Sequence, residues 1–548
     1  MAMDKLKSVI FSVAMATAVE AGAIHQRATP TQPDWFKTSP DLYTGTVATG
    51  APPFLAEINP APFGDATYVP NAPLETSEPI DGAKGRNIFH LMGDLSPYFS
   101  PSEGFGVDEY PLPKGANITQ MHMLQRHGAR YPSSSEGLDS WGAGIVNATA
   151  KGTVFQGKLA FLNDWSYKLG KEILVPQGRQ ELFDAGVLNY YNYGQLYENT
   201  TSKLVVRTTL QSRMLESCEN FLAGFFGLNW RDHANILATI DPATTGEITC
   251  TNEATTMMQT IQVPVGTWMA TYLKDRTAEF KRLTGNYNWT VTDTYHAQAL
   301  CPYETISLGY SEFCQLFDYE DWENFAYLMD IEFAGLSGFH SPTGRAQGIA
   351  WVEEFLARVE GHLLDVPVEK TGANMTLDTN PVTFPLDQKL YLEFTHDANI
   401  VSVLTAFGLT QFADALPLTG PTKKQQFHTS RIVPFAGRLN IEIISAPHMV
   451  STKRSSKDIK KGDYVAGTAP TKYVHFIQNQ RTIPLHSSFD ECEYREDGWC
   501  ELSTFLKVQK QSLGNAQYQY ACFGNWSMKS WGAVTDGVPA ESKHNPTQ

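Results

Sequence analysis

The sequence predicts an α/β protein in which a sheet domain carries a mainly helical insertion. Strand-like apolar segments lie near both ends of the chain, helical patterns alternate with them there, and residues 255–370 between them are mostly helical in pattern. Strands that alternate with helices are typical of an α/β sheet. We therefore expect the α/β core at about residues 116–210 and 375–535, and the helical insertion at about residues 211–374.

Each element is predicted from its own pattern. Strands are expected where apolar and β-branched residues run together, at residues 118–124, 203–209, 389–395, 438–446 and 473–485. Helices are expected where apolar residues recur at i, i+3 and i+4, at residues 153–170, 176–197, 212–227, 398–409 and across most of 255–370. Pro176 supports the start of the second helix, because proline is favoured in a first helical turn.

The first 23 residues are predicted to be a signal peptide. Lys5 and Lys7 precede a short apolar run, and small residues stand before a cleavage point after Ala23. A buried first helix is the alternative, which Glu20 and the shortness of the run disfavour.

The residues after the signal peptide fall into two parts. Residues 24–87 are rich in Pro, Thr, Ala and Gly and are expected to form an extended segment, which is a candidate contact for a second subunit. Residues 88–548 are expected to hold the functional region.

Composition excludes several classes of function. The chain has 548 residues, 42% of them hydrophobic, and a formal net charge of −16. A nucleic-acid-binding protein carries basic patches, so nucleic acid is not an expected partner, and any anion site must be a local basic pocket. After the signal peptide, no segment approaches the roughly 20 apolar residues of a membrane helix. We therefore expect a soluble, secreted protein with no membrane partner.

Cysteines and sequons are consistent with secretion. Most of the seven cysteines should pair in an oxidising compartment, and the expected pairs are Cys492–Cys500, Cys301–Cys314 and, at long range, Cys250–Cys522. Cys218 lies in a helical pattern and is expected to be a free, buried thiol. Neither a C-x-x-C pair nor histidines at ligand spacing occur, so no metal or other cofactor is expected. Glycosylation is predicted at Asn147, Asn199, Asn288, Asn374 and Asn525, but not at Asn117, which opens a strand.

Arg126, His127 and Arg130 stand at the end of the first predicted strand, within "QRHGARYP". Sites in α/β folds are built at the carboxyl ends of strands. Arginine presents a fork of donors that fits phosphate or carboxylate oxygens, so two arginines beside a histidine make an anion cradle. Their charge lowers the pKa of the imidazole and keeps it neutral and nucleophilic. A surface turn with solvated arginines is the alternative that spacing alone leaves open.

Two further strand ends carry candidate residues. His396 and Asp397 follow a strand and precede a helix, where the histidine can bind an anion. The aspartate can be a general acid or only a helix cap. Arg207 ends the short apolar part of the strand predicted at residues 203–209 and is expected to complete the cradle. Arg213, in the next helix, is expected to lie on the helix surface or in an ion pair.

These motifs together resemble the histidine acid phosphatases, a branch of the histidine phosphatase superfamily, and most closely their secreted fungal members. The resemblance covers most of residues 88–525, including "HLMGDLSPYFS" and the segment 492–500. It implies a phosphoglycerate-mutase-like α/β sandwich with a helical domain, and a secreted acid phosphatase that hydrolyses phosphate monoesters. It also implies that His127 attacks the phosphorus to form a phosphohistidine and that Asp397 protonates the leaving alcohol. The phosphoryl oxygens would be held by Arg126, Arg130, Arg207 and His396.

Two positions depart from the fungal phytase pattern. Ala116 replaces a cysteine that many fungal phytases carry, so that disulfide is not expected. Glu136 lies where phytases tend to have lysines, and a carboxylate there would repel inositol hexakisphosphate. We therefore favour an acid phosphatase for small phosphomonoesters over a phytase. The second alternative is an inactive member that binds phosphorylated ligands.

Overall fold

The computed structural model describes residues 80–84, 86–198, 202–239, 250–454 and 463–541. The predicted signal peptide, most of the segment 24–87 and Asn199 lie outside these residues. The described chain contains one eight-stranded sheet, formed by β1 (Asn117–Arg126), β2 (Leu204–Thr209), β3 (Ala234–Thr239), β4 (Leu390–Thr395), β5 (Arg438–Ala446), β6 (Thr471–Gln478), β7 (Arg481–Ile483) and β8 (Cys500–Glu501).

The sheet has a parallel half and an antiparallel half. The strand order is β3-β2-β4-β1-β5-β6-β7, with β8 paired to β6. Strands β3, β2, β4 and β1 are parallel neighbours, whereas β5 to β8 join the sheet in antiparallel pairs. Arg126, the last residue of β1, is in register with Thr395, the last residue of β4. The loops that follow these two strands therefore leave the sheet side by side.

The helices of the described chain are α1 (Leu138–Ala150), α2 (Pro176–Tyr193), α3 (Ser212–Phe226), α4 (Thr251–Met257), α5 (Val263–Tyr272), α6 (Lys274–Lys281), α7 (Val291–Leu308), α8 (Tyr319–Leu336), α9 (Gly344–Glu360), α10 (Val368–Thr371), α11 (Met375–Asp378), α12 (Asp397–Phe407), α13 (Thr429–Ile432), α14 (Leu502–Gln509), α15 (Ser512–Ala516) and α16 (Tyr518–Phe523).

Helices cover both faces of the sheet. On one face, α2 and α3 bury Leu182 and Phe221 against strand residues such as Leu392. On the other face, α9 and α12 pack Phe355 and Phe407 in the cluster that contains the opposite strand side chains. This three-layer arrangement confirms the predicted α/β class, and burial of these apolar side chains is the main stabilising term.

Several predicted elements are confirmed and others are corrected. The helices expected at 176–197, 212–227 and 398–409 form as α2, α3 and α12. The helix expected at 153–170 is wrong, because only a 3₁₀ turn, Gly157–Asn163, forms there. Its buried residues, Leu159 and Leu162, are three apart, which a 3₁₀ helix also places on one side.

The sheet extends into the range expected for the helical insertion. Strand β3 pairs in parallel with β2, and α3 is the crossover between them. Helix α9 also packs on α12 beside the sheet. The chain from 211 to 239 therefore belongs to the α/β core rather than to the insertion.

The cysteine predictions are confirmed. Disulfides join Cys250 to Cys522, Cys301 to Cys314 and Cys492 to Cys500, whereas Cys218 is a buried free thiol on α3. Within the described ranges, no helix has the length and apolar character needed to cross a membrane.

Candidate active site

The loop after β1 is anchored by backbone contacts on both sides. The amide of His127 donates to the carbonyl of Thr395 at 3.2 Å, and its carbonyl accepts from the amide of Ala436 at 2.9 Å. A Cβ on Gly128 would lie 2.2 Å from the carbonyl oxygen of Gly178, so only glycine permits this approach to α2. The reactive loop is therefore fixed by the sheet and by α2.

The His127 ring is oriented by a backbone carbonyl. Nδ1 lies 2.9 Å from the carbonyl oxygen of Gly128, and because a carbonyl only accepts, Nδ1 must carry the hydrogen. In the neutral ring, Nε2 is then the unprotonated nitrogen. Burial, followed by the charges of Arg126 and Arg130, holds the pKa of His127 well below its usual value. The lowered pKa favours the neutral ring, whose unprotonated Nε2 is chemically capable of nucleophilic attack.

Arg126 is fully buried and makes several contacts. Nη1 donates to the carbonyls of Asp94 and Val433, the second at 2.6 Å. Nη2 forms an ion pair with Oδ2 of Asp397 at 2.6 Å. The guanidinium also lies 4.7 Å from the centre of the Phe435 ring. The group is therefore held in one orientation next to His127.

Arg130 is bound by its own loop and by the helical insertion. Nη1 donates to the carbonyl of Tyr131 at 3.0 Å and to Oε1 of Glu136 at 3.2 Å, and it lies 3.3 Å from the hydroxyl of Tyr303 on α7. The Tyr303 hydroxyl itself donates to Glu136 at 2.8 Å. Glu136 therefore competes directly with any anion for Arg130.

Arg213 forms the ion pair that the sequence predicted for it, and its charge also acts on the site, which the sequence did not predict. It lies in the first turn of α3, and its charge acts on His396, Arg126 and Arg130. Nη1 donates to Glu172 at 3.0 Å. In the part of the chain that the structure describes, the buried Nε of Arg126, Arg130 and Arg213 each lacks an acceptor. Unpaired donors on arginines whose charges act on His127 or His396 suit an anionic ligand.

His396 and Asp397 lie at the start of α12. The His396 ring is edge-to-face with that of His127, with centroids 5.4 Å apart. Burial is the main cause that lowers the pKa of His396 to about 4. Oδ1 of Asp397 accepts from the Ala398 amide at 2.8 Å, but His396 is the N-cap residue and Asp397 is the first residue of the helix. Burial acts to raise the pKa of Asp397, but Arg126 and His396 hold it below its usual value.

Two further carboxyl groups surround the site. Asp94, before β1, is buried, and desolvation raises its pKa to about 7 against the effect of Arg126. Glu332 on α8 is partly buried, and desolvation followed by repulsion from Asp94 and Glu136 raises its pKa to about 8. Sequence reasoning missed both roles. The only sequence signal for Asp94 was its place in "HLMGDLSPYFS".

Arg207 does not join the cradle, so this prediction is wrong. Its Nη1 donates to Glu354 at 2.9 Å and its Nη2 to Asp378 at 2.7 Å. Strand β2 continues two residues beyond it, to Thr209. Because side chains alternate along a strand, Arg207 faces α9, in register with Glu393. The chain that follows the end of β2 enters α3, which carries Arg213 in its first turn.

The predicted sequons that the structure describes lie at the surface. Asn147, Asn288, Asn374 and Asn525 are all exposed. Their glycosylation stays a prediction.

The residues that form the sheet and the site match a known protein family. The family model described as histidine phosphatase superfamily (branch 2) matches residues 117–478. The chain belongs to this superfamily and is a phosphoric monoester hydrolase.

The chain is similar in sequence to proteins of two Aspergillus species and in fold to one solved structure. Phytase A of Aspergillus awamori is 30% identical over 448 residues, which are 76% of this chain and 87% of that protein. Phytase A of Aspergillus terreus is 31% identical over 466 residues, 80% of this chain and 90% of its own. Among solved structures, the phytase from D. castellii has a similar fold, with a TM-score of 0.61 and 21% identity over 84% of this chain and 92% of that one.

Proposed function

We propose that the protein is a secreted acid phosphatase that hydrolyses small phosphomonoesters through a phosphohistidine on His127. The observation that carries the proposal is the ring orientation, in which Nδ1 of His127 donates to the Gly128 carbonyl and leaves Nε2 unprotonated beside the charges of Arg126 and Arg130. Phosphoryl transfer depends mainly on positioning and on positive charge around the phosphoryl oxygens. Arg126, Arg130 and Arg213 supply that charge.

In the first step, Nε2 of His127 attacks the phosphorus, and the bond from phosphorus to the ester oxygen breaks. The leaving oxygen takes a proton from Asp397 and departs as the alcohol. In the second step, water attacks the phosphohistidine, gives its proton back to Asp397, and releases phosphate and free His127. Neutral His396 donates a hydrogen bond to the phosphoryl group.

The protonation of Asp397 depends on the bound substrate. In the free site, its ion pair with Arg126 keeps the pKa of Asp397 low. A bound phosphoryl group adds negative charge and competes for the same guanidinium, which raises the pKa of the carboxyl. Asp397, the proposed general acid, therefore takes up a proton as the substrate binds, and acidic solution favours this protonation.

Small esters are the preferred substrates on electrostatic grounds. Glu136 binds Arg130, and Glu332 and Asp94 add negative charge only above their pKa values of about 8 and about 7. An inositol that carries several phosphates would bring more negative charge close to these groups. The three disulfides also support a place outside the reducing cytosol.

Phytase is the second candidate, and the similarity to Phytase A of two Aspergillus species favours it. Acidic solution also weakens the electrostatic objection, because Asp94 and Glu332 are neutral below the pKa values of about 7 and about 8.

A chemical trap tests the nucleophile. The protein is mixed with p-nitrophenyl phosphate at pH 5, quenched in base to preserve phosphohistidine, and analysed by peptide mass spectrometry. We expect phosphate on His127, and neither phosphate nor turnover in His127→Ala. His122→Asn is the matched control, because His122 is buried on the same strand against Tyr391 and should not be phosphorylated. A wild-type protein that binds phosphate but hydrolyses no ester would favour the inactive alternative.

A substrate comparison separates phosphatase from phytase. We expect a higher kcat/KM for p-nitrophenyl phosphate than for phytate at pH 5. Glu136→Gln should raise kcat/KM for phytate more than for p-nitrophenyl phosphate, because it frees Arg130 and removes a negative charge. A strong wild-type preference for phytate would establish the second candidate.

A further inference from the structure

Asp94 reaches the phosphate cradle from a segment before the sheet. It lies in a short 3₁₀ turn, Gly93–Leu95, that packs on α8. Gly93 has a φ of 60°, and a Cβ there would lie 2.3 Å from Cγ of Met329, so the turn and the helix are in close contact. The position of Asp94 is therefore fixed by packing on α8.

Asp94 holds Arg126 by its backbone and by its side chain. Its carbonyl accepts from Nη1 of Arg126, and its Oδ2 lies 3.5 Å from Nη2. Oδ2 of Asp397 contacts the same Nη2 at 2.6 Å. Two carboxyl groups from distant parts of the chain thus approach one nitrogen of the cradle.

The two carboxyl groups differ in charge. Desolvation raises the pKa of Asp94 to about 7, whereas Arg126 holds the pKa of Asp397 low. In acid, Arg126 therefore has one ionised and one neutral carboxyl partner. Such a difference between the pKa values of two neighbouring carboxyl groups is typical of acid–base sites.

Charged and titratable groups from all neighbouring elements bear on Asp94. Arg126 and Arg130 favour its ionised form, and Asp397 and Glu136 oppose it. Tyr295 and Tyr303 on α7 and Glu332 on α8 also interact electrostatically with Asp94. The helices packed on the turn, α8 and α13, carry Asp330 and Arg431 as well. Asp330 is engaged by the amide of Thr429 at 2.7 Å, and Arg431 by Glu103 at 3.1 Å.

We propose that Asp94 is a positioning residue that limits the reaction at alkaline pH through Arg126. When its carboxyl is neutral, Arg126 has Asp397 as its single ionised partner and is available to the phosphoryl group. When the carboxyl ionises, it takes a share of Nη2 and repels the phosphoryl oxygens, so substrate binding weakens. This inference rests on the proposed function, because it concerns the same site.

The experiment compares Asp94→Asn with the wild type, with kcat and KM for p-nitrophenyl phosphate measured from pH 4 to pH 9. Asparagine has nearly the same shape and cannot ionise. One unit above a pKa, about a tenth of a group keeps its proton, so the ratio of kcat/KM at pH 8 to that at pH 5 should rise about tenfold. The change should lie mainly in KM. The ionisation of the substrate affects both proteins equally and cancels.

Glu353→Gln is the matched control. Burial raises the pKa of Glu353 to about 7 as well, but its charged neighbours are Asp365, Glu360 and His362, outside the site. Glu353→Gln should keep the wild-type ratio of kcat/KM at pH 8 to kcat/KM at pH 5.

Two results would overturn the proposal. One is a profile of Asp94→Asn that has the wild-type shape, including a loss of the same factor at every pH, since that would show a structural role alone. The other is the full shift in Glu332→Gln with none in Asp94→Asn, which would assign the alkaline limit to Glu332.

Binding of inorganic phosphate gives a readout that needs no turnover. Calorimetry at pH 5 and pH 8 should show that the wild type loses more affinity with rising pH than Asp94→Asn does. This difference in a protein that hydrolyses no ester would refute the proposed function and support the role of Asp94. If the wild type hydrolyses esters but shows no such difference in phosphate affinity, the proposed function would stand and the role of Asp94 would be refuted.

Discussion

Arg126 and Arg207 both lie near the carboxyl end of a parallel strand, yet they serve different purposes. The side chain of Arg126 is fully buried and that of Arg207 is 12% exposed. Arg207 is bound by two carboxylates and by the carbonyl of Thr383 at 3.0 Å. Arg126 is the last residue of its strand and keeps a buried Nε without an acceptor among the described residues. Position relative to the strand end therefore decides whether an arginine lies beside His127 or packs between the sheet and α9.

Replacing each arginine by lysine should separate the two roles most strongly. Arg126→Lys keeps a charge but loses the fork that fits a phosphoryl group. We expect kcat/KM for p-nitrophenyl phosphate to fall by about 10²–10³, as for loss of one transition-state donor. Arg207→Lys should stay near the wild-type value, measured per folded molecule. Equal losses in the two variants would contradict the comparison.

Removing the Arg207 side chain should instead affect stability. Arg207→Ala leaves Glu354 and Asp378 without their shared partner in a buried setting. Breaking a buried ion pair in this way costs about 3–5 kcal/mol. The free energy of unfolding in urea should fall by that order, with the kinetic constants of the folded fraction retained. Unchanged stability together with lost phosphate affinity would instead return Arg207 to the site.

The comparison also shows what the sequence could predict. Arg126, His127 and Arg130 lie within five residues at the end of β1, and His396 follows a strand whose apolar pattern is clear, so local reasoning was sufficient to place them near one another. Arg207 depended on where β2 ends and on which side of the sheet it faces. Both follow from long-range pairing with β3 and β4. A two-residue difference in the strand end moves a side chain away from the edge where sites form.

The carboxyl groups of the site depended on packing between distant segments. Asp94 comes from a turn before the sheet, and Glu332 from α8 in the helical region. Neither lies in a motif with a fixed spacing from "RHGARYP", so no local pattern could place them beside Arg126. Glu136 was identified as relevant to specificity, but its contact with Arg130 required the structure.

Arg213 offers a smaller test of the same comparison. Arg213→Gln removes one charge and one unpaired Nε from the site, and we expect kcat/KM to fall about tenfold to 10²-fold, mostly through KM. Arg231→Gln is the matched control, because Arg231 pairs with Glu219 at 3.4 Å on the exposed side of α3. If both variants keep wild-type kinetics, Arg213 is only an ion-pair partner of Glu172.

The last expected effect concerns the dependence of stability on pH, which is measured as a slope. The pKa of Glu332 is raised from 4.5 to about 8, so between these values the folded protein holds a proton that the unfolded chain releases. Stability therefore falls as pH rises through this window, by up to about 1.4 kcal/mol per pH unit for this group. Glu332→Gln should flatten the decline in the free energy of unfolding between pH 5 and pH 8.

Glu320→Gln supplies the control for that slope, because Glu320 is exposed on the same helix and its loss should leave the slope as it is. A Glu332→Gln protein with the wild-type slope would mean that Glu332 ionises freely in the folded state. It would then repel polyphosphates in acid as well. Neutral Glu332 could then no longer explain why repulsion of phytate weakens in acid. The same stability measurement therefore also tests the choice between phosphatase and phytase.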